Sequence, residues 1–98
     1  MDIHLDSRYR KDSGVVYREI AGEAILVPIR QNAGDLESIY TLNETAARIW
    51  ALLDGQRSLR DIRDALVAEF EVSEAEAESD LVDFIRDLRT LGGVVEAG

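Results

Sequence analysis

The sequence predicts an α+β, winged-helix-like domain in which a three-stranded antiparallel sheet is followed by three helices. Apolar residues alternate with a period of two up to Leu42 and recur with a period of about 3.6 after it. The link between the second and third helical patterns is short, as in a helix-turn-helix. The chain has 98 residues, which suffices for one core. Residues 1–13 are charged and aperiodic, so we expect a flexible N-terminal arm followed by a domain over 14–98.

Three strand patterns follow the arm. The segment Val15–Ile20 is rich in β-branched and aromatic residues, and 21–22 offers a turn. The strongest pattern covers 24–30, although Pro28 within it has no N–H for a ladder bond and indicates an irregular or edge position. Residues 38–42 form the third pattern. Short loops join the three patterns, which predicts an antiparallel meander.

Three helical patterns come next, each opened by a residue that suits an N-cap. The predicted N-caps are Asn43, Ser58 and Ser73. Gly55 and Gly92 follow the first and third patterns, where a left-handed residue commonly ends a helix. Beyond Gly92, residues 94–95 are expected to be extended. The apolar residues at helical spacing, predicted to face the core, are Ala46, Ile49, Trp50, Leu53, Leu59, Ile62, Leu66, Phe70, Ala77, Leu81, Phe84, Ile85, Leu88 and Leu91.

The sequence offers no catalytic constellation. An enzyme needs a positioned base, nucleophile, metal or cofactor cradle. His4 is the only histidine and lies in the expected arm, where a solvated terminal residue is the simpler interpretation. There is no cysteine, no EF-hand spacing, and no helix after the glycine pair 92–93 that could form a phosphate cradle. We therefore expect no enzymatic activity, no cofactor and no metal.

The charge distribution disfavours nucleic acid as a partner. The chain carries 20 acidic and 11 basic residues, a net charge of −9. The helix that a winged-helix protein would place on DNA, Glu74–Leu91, contains six acidic residues, which phosphates would repel. The basic row Arg57, Arg60 and Arg63 is interleaved with aspartates and is expected to be an ion-paired, solvated face. A winged-helix transcriptional regulator is therefore the weaker alternative.

The sequence also carries no signal for a membrane or for export. No apolar stretch approaches the ~20 residues that cross a bilayer. The start of the chain is polar and lacks the apolar segment of a secretory signal. We expect no membrane partner and a cytoplasmic location.

The third strand pattern, 38–42, has neither charge nor proline and so lacks the usual protection of a sheet edge. Such an edge is either used for binding or covered. A neighbouring strand, the N-terminal arm or a second copy of the chain could cover it. The residues alone thus leave open a binding module and a self-associating adaptor domain.

The segment 18–94 resembles the PqqD family, in which a strand pair leads into a capped helix, an Asp-Gly step, a second helix and a last helix that ends in glycine. The residues that carry the resemblance are Leu42, Asn43, Ala46, Ala47, Ile49, Trp50, Asp54, Gly55, Ile62, Leu66, Asp80, Leu81, Ile85, Leu88 and Gly92. The order and spacing of these pieces together are fairly specific. The approach to the third strand and the end of the chain differ from proteins of pyrroloquinoline quinone synthesis proper, which favours a relative from another peptide-modifying pathway.

The resemblance implies a RiPP recognition element, a winged domain that binds the leader of a ribosomally synthesised precursor peptide by β-strand addition. Its partners would be that leader peptide and a modifying enzyme, such as a radical SAM maturase, to which the domain presents the precursor. The protein would act as a peptide chaperone, as a monomer or a dimer. By match, the peptide-binding residues are Ser38, Ile39, Tyr40 and Thr41 on the third strand and Leu81, Phe84, Ile85 and Leu88 on the third helix.

Overall fold

Two small antiparallel sheets and three helices make up the part of the chain that the structure describes. The structure is a computed structural model, and it describes residues 3–29 and 39–97. In chain order the elements are β1 (Arg8–Lys11), β2 (Val15–Ile20), β3 (Glu23–Pro28), β4 (Tyr40–Leu42), α1 (Glu44–Leu52), β5 (Asp54–Ser58), α2 (Leu59–Glu69), α3 (Glu74–Leu91) and β6 (Val94–Ala97). The predicted meander followed by three helices is confirmed, and a second sheet accompanies it. No helix within these residues is long and apolar enough to span a membrane.

Strands β2 and β3 form a hairpin, and β4 pairs with the other side of β3, in the order β2-β3-β4. The hairpin closes with Ile20 opposite Glu23. The two residues between them, Ala21 and Gly22, have φ of +54° and +84°. Positive φ at both positions is the pattern of a type I′ turn, whose twist suits a two-residue hairpin loop. The predicted turn is confirmed, and the Cβ of Ala21 makes its left-handed backbone sterically costly.

Pro28 is the last residue of β3 and lies opposite Val15. Next to this pair, the Ile29 N–H donates to the Gly14 carbonyl at 2.9 Å, which makes Gly14 and Ile29 a hydrogen-bonded pair. Hydrogen-bonded and non-hydrogen-bonded pairs alternate along an antiparallel ladder. Pro28 and Val15 are therefore a non-hydrogen-bonded pair, and the missing N–H of the proline costs the hairpin no bond.

The second sheet corrects the prediction of a flexible arm over 1–13. Arg8–Lys11, within that segment, form β1, the central strand of the order β5-β1-β6. This strand pairs antiparallel with both neighbours, and the Tyr9 side chain is only 3% exposed. This strand is so short that Tyr9 is its one buried apolar side chain. The residues around Tyr9 are charged, so the sequence shows no alternation of apolar and polar residues there. The extended piece predicted at 94–95 is confirmed as part of β6.

Gly55 has the left-handed backbone predicted for it, with φ of +78°, but it does not end a helix. Helix α1 ends at Leu52 with Leu53 as its C-cap, and Gly55 lies inside β5. The pairing of β1 with β5 shifts register between Arg8 and Arg10. Glycine suits such an irregularity because it adopts positive φ and because a Cβ at this position would lie 3.3 Å from the Arg10 Cβ.

The helix ends follow the predicted signals. The side-chain oxygens of Asn43, Ser58 and Ser73 accept backbone N–H bonds at 2.8, 3.1 and 3.0 Å. At the other end of α3, Gly92 has φ of +78° and is the C-cap, as predicted. Each N-cap satisfies an N–H group that the helix itself leaves unbonded, so the three helices begin where the sequence placed them.

The basic row on and before α2 is ion-paired, as predicted, but the prediction of a solvated face is wrong for Arg63, which is buried. The partners of the row lie within 2.6–3.1 Å: Arg57 with Asp54, Arg60 with Asp6, and Arg63 with Asp64. Arg63 is 9% exposed and also lies 3.6 Å from Glu74 and 3.4 Å from Glu78 of α3. These pairs neutralise the row and tie α2 to the first turns of α3.

One apolar core joins both sheets to the helices. The residues predicted to face it are buried, except for three that are partly buried against it: Ala46, Phe70 and Leu91. Trp50 is 7% exposed, and the Lys11 ammonium lies 5.4 Å from the centroid of its ring, a cation–π arrangement. Lys11 also donates to the Leu53 carbonyl at 2.9 Å, and burial lowers the pKa of its ammonium, against the opposing charge of Asp54. The N-terminal strand is therefore bound to the core through two of its side chains, Tyr9 and Lys11.

Truncation of Trp50 tests the core. Trp50→Ala is expected to lower the free energy of unfolding by about 3–5 kcal/mol, because it removes a buried aromatic ring from a single small core. Denaturant melts measure the difference. Val67→Ala on the exposed face of α2 is the control and should change stability by less than about 0.5 kcal/mol. If the two variants lose similar stability, the assignment of Trp50 to the core is wrong.

The hairpin turn offers a stabilising substitution. Ala21→Asn should raise the free energy of unfolding by about 0.5–1 kcal/mol, because Asn tolerates the left-handed region and Asn-Gly is the preferred type I′ pair. Gly22→Ala should lower it by about 1 kcal/mol, since a Cβ there meets no atom within 4 Å and only the backbone is strained. Thermal melts of the two variants should therefore shift in opposite directions, and a shift in the same direction would contradict the turn geometry.

Candidate functional site

Strand β4 lies at an edge of the first sheet, and no described strand pairs with its outer side. Tyr40–Leu42 contain no charge and no proline, so the strand itself does not protect the edge. The Leu42 side chain is buried in the core, Tyr40 is half-buried and Thr41 is exposed. Ile39, just before the strand, is 52% exposed. Ser38, the first residue of the predicted binding strand, lies outside the described residues.

The ladder between β2 and β3 determines the direction of every backbone group in β3. Gly14 and Ile29 form a hydrogen-bonded pair, so every second residue counted back from Ile29 bonds to β2. The N–H and C=O of a strand residue point to the same side, and this side alternates along the strand. Ala24 and Leu26 lie at the alternate positions and therefore bond towards β4.

The same alternation gives the free groups of β4. Ala24 stands opposite Leu42, and Leu26 stands opposite Tyr40. Because Ala24 and Leu26 bond towards β4, Tyr40 and Leu42 direct their backbone groups back towards β3. Thr41 lies between them and therefore directs its N–H and C=O outward. The exposed edge thus presents one donor and one acceptor at Thr41.

A cleft of about 140 Å³ lies beside this edge, between β4, the start of α1 and α3. Its described lining is Tyr40, Asn43, Thr45, Ala46, Ile49, Asp80, Asp83, Phe84 and Asp87. The rings of Tyr40 and Phe84 meet there with centroids 5.9 Å apart and planes tilted by 45°. Phe84 is otherwise buried, with 4% of its surface exposed. The cleft therefore has an aromatic floor next to an unpaired strand edge.

The structure brings only part of the predicted helix set to the cleft. Phe84 lines it, whereas the other three predicted residues of α3 are 0% exposed and lie in the core: Leu81, Ile85 and Leu88. Their burial assigns these three to the core in this structure, and their role in peptide binding stays a prediction. The physical reason for their burial is that they belong to the one apolar stripe that packs α3 onto the rest of the domain.

Three residues that the sequence did not single out as ligands line the cleft instead: Asp80, Asp83 and Asp87. In the sequence Asp80 is one of the residues that carry the family resemblance, and Asp83 and Asp87 contribute only to the general acidity of α3. Their spacing of three and four residues places them on one helix face, and Phe84 lies on that face, four residues after Asp80 and three before Asp87. That spacing is the signal by which the sequence could have revealed them.

The Tyr40 hydroxyl links the two walls of the cleft. It donates a hydrogen bond to Asp87 Oδ2 at 2.5 Å. Burial, this bond to Asp87, and the negative charges of Asp87 and Asp83 raise the pKa of Tyr40 to about 12. Tyr40 is therefore a neutral donor at physiological pH, and it holds β4 against α3.

The arrangement suits binding of an extended chain. Backbone groups at Thr41 can continue the sheet, and side chains of an added strand would alternate between the solvent and the cleft. Within 3–29 and 39–97, no group of histidine or acidic residues is arranged to hold a metal ion. The aspartates instead give the cleft a negative charge.

Comparison with known proteins gives the family. Residues 23–94 match the family model described as Coenzyme PQQ synthesis protein D (PqqD). The chain belongs to the PqqD family. A comparison with curated proteins finds no match for this PqqD-family chain.

Two solved structures resemble this PqqD-family domain. One is TbiB1 in complex with the TbiA(beta) leader peptide, at 30% identity, with a TM-score of 0.65 over 83% of this chain and 88% of the other. The second is lasso peptide synthetase B1 complexed with the leader peptide, at 24% identity, with a TM-score of 0.70 over 90% of this chain and 98% of the other. The family and fold that the sequence predicted are thereby confirmed.

The bond between Tyr40 and Asp87 predicts a stability change at high pH. Folding raises the pKa of Tyr40 to about 12. The protonated hydroxyl therefore stabilises the fold fully below the ordinary tyrosine pKa of about 10, and this stabilisation is lost as pH rises through about 12. The unfolding free energy of wild type should fall over this range more than that of Tyr40→Phe.

Tyr17→Phe is the matched control. Tyr17 is exposed, and its bond to Glu19 on the same strand also raises its pKa, so its removal should change the alkaline slope less than removal of the half-buried Tyr40 hydroxyl. Tyr40→Phe should also cost about 0.5–1.5 kcal/mol at neutral pH. Denaturant melts across the alkaline range provide both values. Equal alkaline slopes for Tyr40→Phe and wild type would contradict the bond.

Proposed function

We propose that this PqqD-family domain is a peptide chaperone that binds the leader of a ribosomally synthesised precursor peptide by adding it as a strand to β4. The observation that carries the proposal is the unprotected edge at Thr41 beside the cleft lined by Tyr40 and Phe84. The two similar solved structures support it, because each is a complex with a leader peptide. The role of the individual residues in binding this chain's own partner belongs to the proposal.

Affinity in this mode comes first from the backbone. A peptide strand on β4 gains hydrogen bonds to the Thr41 N–H and C=O, which point away from β3 and towards no strand of the described residues. Selectivity comes from side chains, since every second residue of the added strand points to the α3 side. On this side the floor is aromatic, so an apolar or long aliphatic side chain would pack on Phe84 and Tyr40.

The domain would act without catalysis, delivering the precursor to a separate modifying enzyme such as a radical SAM maturase. Binding of newly made precursor peptide places this work in the cytoplasm. The binding unit would begin before residue 14, because β1 is the centre of the second sheet and Tyr9 belongs to the core. The acidity of α3 argues against DNA as the ligand of the winged-helix-like fold.

The proposal is tested with a candidate leader taken from a short reading frame beside the gene, titrated by calorimetry or anisotropy. Thr41→Pro should weaken binding by at least about tenfold, because it removes the outward N–H and places a ring against the incoming strand. The fold should survive, since this N–H makes no bond to β3 and Tyr40 is already extended, as a residue before proline must be.

Thr41→Val is the matched control, because it keeps the N–H and the β-branched shape and should bind within about twofold of wild type. Amide-shift mapping with wild type should place the perturbed residues on β4 and the cleft. Light scattering at the same protein concentration separates leader binding from pairing of β4 with a second copy. If Thr41→Pro is folded and binds the leader as wild type does, strand addition at this edge is wrong.

A further inference from the structure

Three of the four described α3 residues that line the cleft are acidic. Asp80, Asp83 and Asp87 line it, and no lysine or arginine occurs among the described lining residues. Asp83 is 70% exposed and lies 3.6 Å from Arg86, Asp87 accepts from Tyr40, and Asp80 forms no ion pair with a residue in 3–29 or 39–97. The cleft therefore carries a surplus of negative charge that the described fold does not neutralise.

This charge works against the helix that carries it. Asp is a poor helix former, and like charges three or four residues apart on a helix repel each other. Asp87 lies near the C-terminal end of α3, where the helix dipole disfavours an anion. By contrast, Glu74 and Glu78 lie near the start of the helix and pair with Arg63. Ion pairs with Arg63 thus account for these glutamates, whereas the pair of Asp83 with Arg86 and the bond of Asp87 to Tyr40 still leave the cleft with a net negative charge.

The neighbouring strand edge determines the form of a ligand that could use this charge. The outward N–H and C=O of Thr41 suit an extended peptide, whose side chains on the α3 side recur about every 6.8 Å. Asp83 and Asp87 are separated by about 6 Å along the helix axis. Lysine and arginine side chains are long enough to lie across the rings of Tyr40 and Phe84 and to place their charge at these carboxylates.

We infer that the leader recognised by this domain presents lysine or arginine side chains, two residues apart, towards the acidic wall of α3. The inference rests on the proposed function and specifies the chemistry of its ligand. The aspartates would select basic leaders and repel acidic ones, and they would increase the association rate of a basic peptide at low salt.

A selection from a display library of short random peptides tests the inference and does not require the sequence of the natural leader. Peptides are selected on the wild-type domain and counter-screened on Thr41→Pro to keep those that need the β4 edge. The edge-dependent peptides should be enriched in lysine and arginine at positions i and i+2 relative to the input library. The most enriched peptide is then synthesised together with versions in which these residues are glutamine or glutamate.

The second part of the test removes charge from the protein. Asp80→Asn and Asp83→Asn should each weaken binding of the basic peptide by about two- to fivefold, as expected for one exposed ion pair. Glu76→Gln removes the same charge from the same helix outside the cleft and should have a smaller effect than either. Raising NaCl from about 0.05 M to about 0.5 M should weaken peptide binding by the wild-type domain more than binding by the double Asp80→Asn, Asp83→Asn variant. Asp80→Asn should not lower the melting temperature, because it relieves repulsion within α3, and Asp83→Asn should change it little, because it also removes the exposed pair with Arg86.

The outcomes separate this inference from the proposed function. Edge-dependent peptides that are neutral or acidic, or a basic peptide that binds the double variant as tightly as wild type, would overturn the inference and leave strand addition intact. If no enriched peptide depends on the Thr41 edge, the proposed function fails and the inference fails with it. Basic, edge-dependent peptides that are sensitive to Asp80 and Asp83 but not to Glu76 support both.

Discussion

The backbone alternation of β3 is the constraint on which the rest of the domain depends. The tight turn at 21–22 and the bond between Ile29 and Gly14 hold β3 in one register against β2. That register sends the Leu26 side chain into the core, where it is 0% exposed, and directs its backbone towards β4. A slip by one residue would expose Leu26 and turn the free groups of Thr41 inward, so the core and the binding edge depend on the same alternation.

Two neighbouring faces of α3 have different roles, one in the core and one in the cleft. Its apolar stripe packs into the core, which anchors the helix against α1, α2 and β6. The next face carries the cleft aspartates, and Phe84 lies at the boundary between them. Because the buried stripe positions the helix, the face that carries the aspartates lies beside the edge of β4. The bond from Tyr40 to Asp87 joins edge and helix directly.

The second sheet shows why the N-terminal segment belongs to the domain. Its central strand contributes Tyr9 to the core and Lys11 to the ring of Trp50. At the far end of β1, the turn into β2 approaches the end of α3 so closely that a Cβ on Gly14 would lie 2.1 Å from the Gly92 carbonyl oxygen. The C-cap of α3 is therefore packed against the junction of the two sheets, which restrains the helix that lines the cleft.

The parts of this protein that the sequence predicted correctly rest on interactions between residues close along the chain. The helix caps, the two-residue turn, the change of hydrophobic period at Leu42 and the motif spacing of the PqqD family are all local patterns. The predicted arm was wrong over Arg8–Lys11 because the partners of β1 lie more than forty residues away, and a strand with one inward side chain leaves no period.

The sequence also could not predict which residues of α3 pack in the core and which line the cleft. A 3.6-residue stripe shows that one face of a helix is buried, but it does not show which neighbouring face borders an open sheet edge. Only the packing of α3 against β4 decided that Leu81, Ile85 and Leu88 belong to the core and that the aspartates line the cleft. The sequence by itself determined the family, the helices and the uncharged edge strand. The tertiary structure decided which backbone groups of that strand are free and which charges face them, because both depend on pairing between residues distant along the chain.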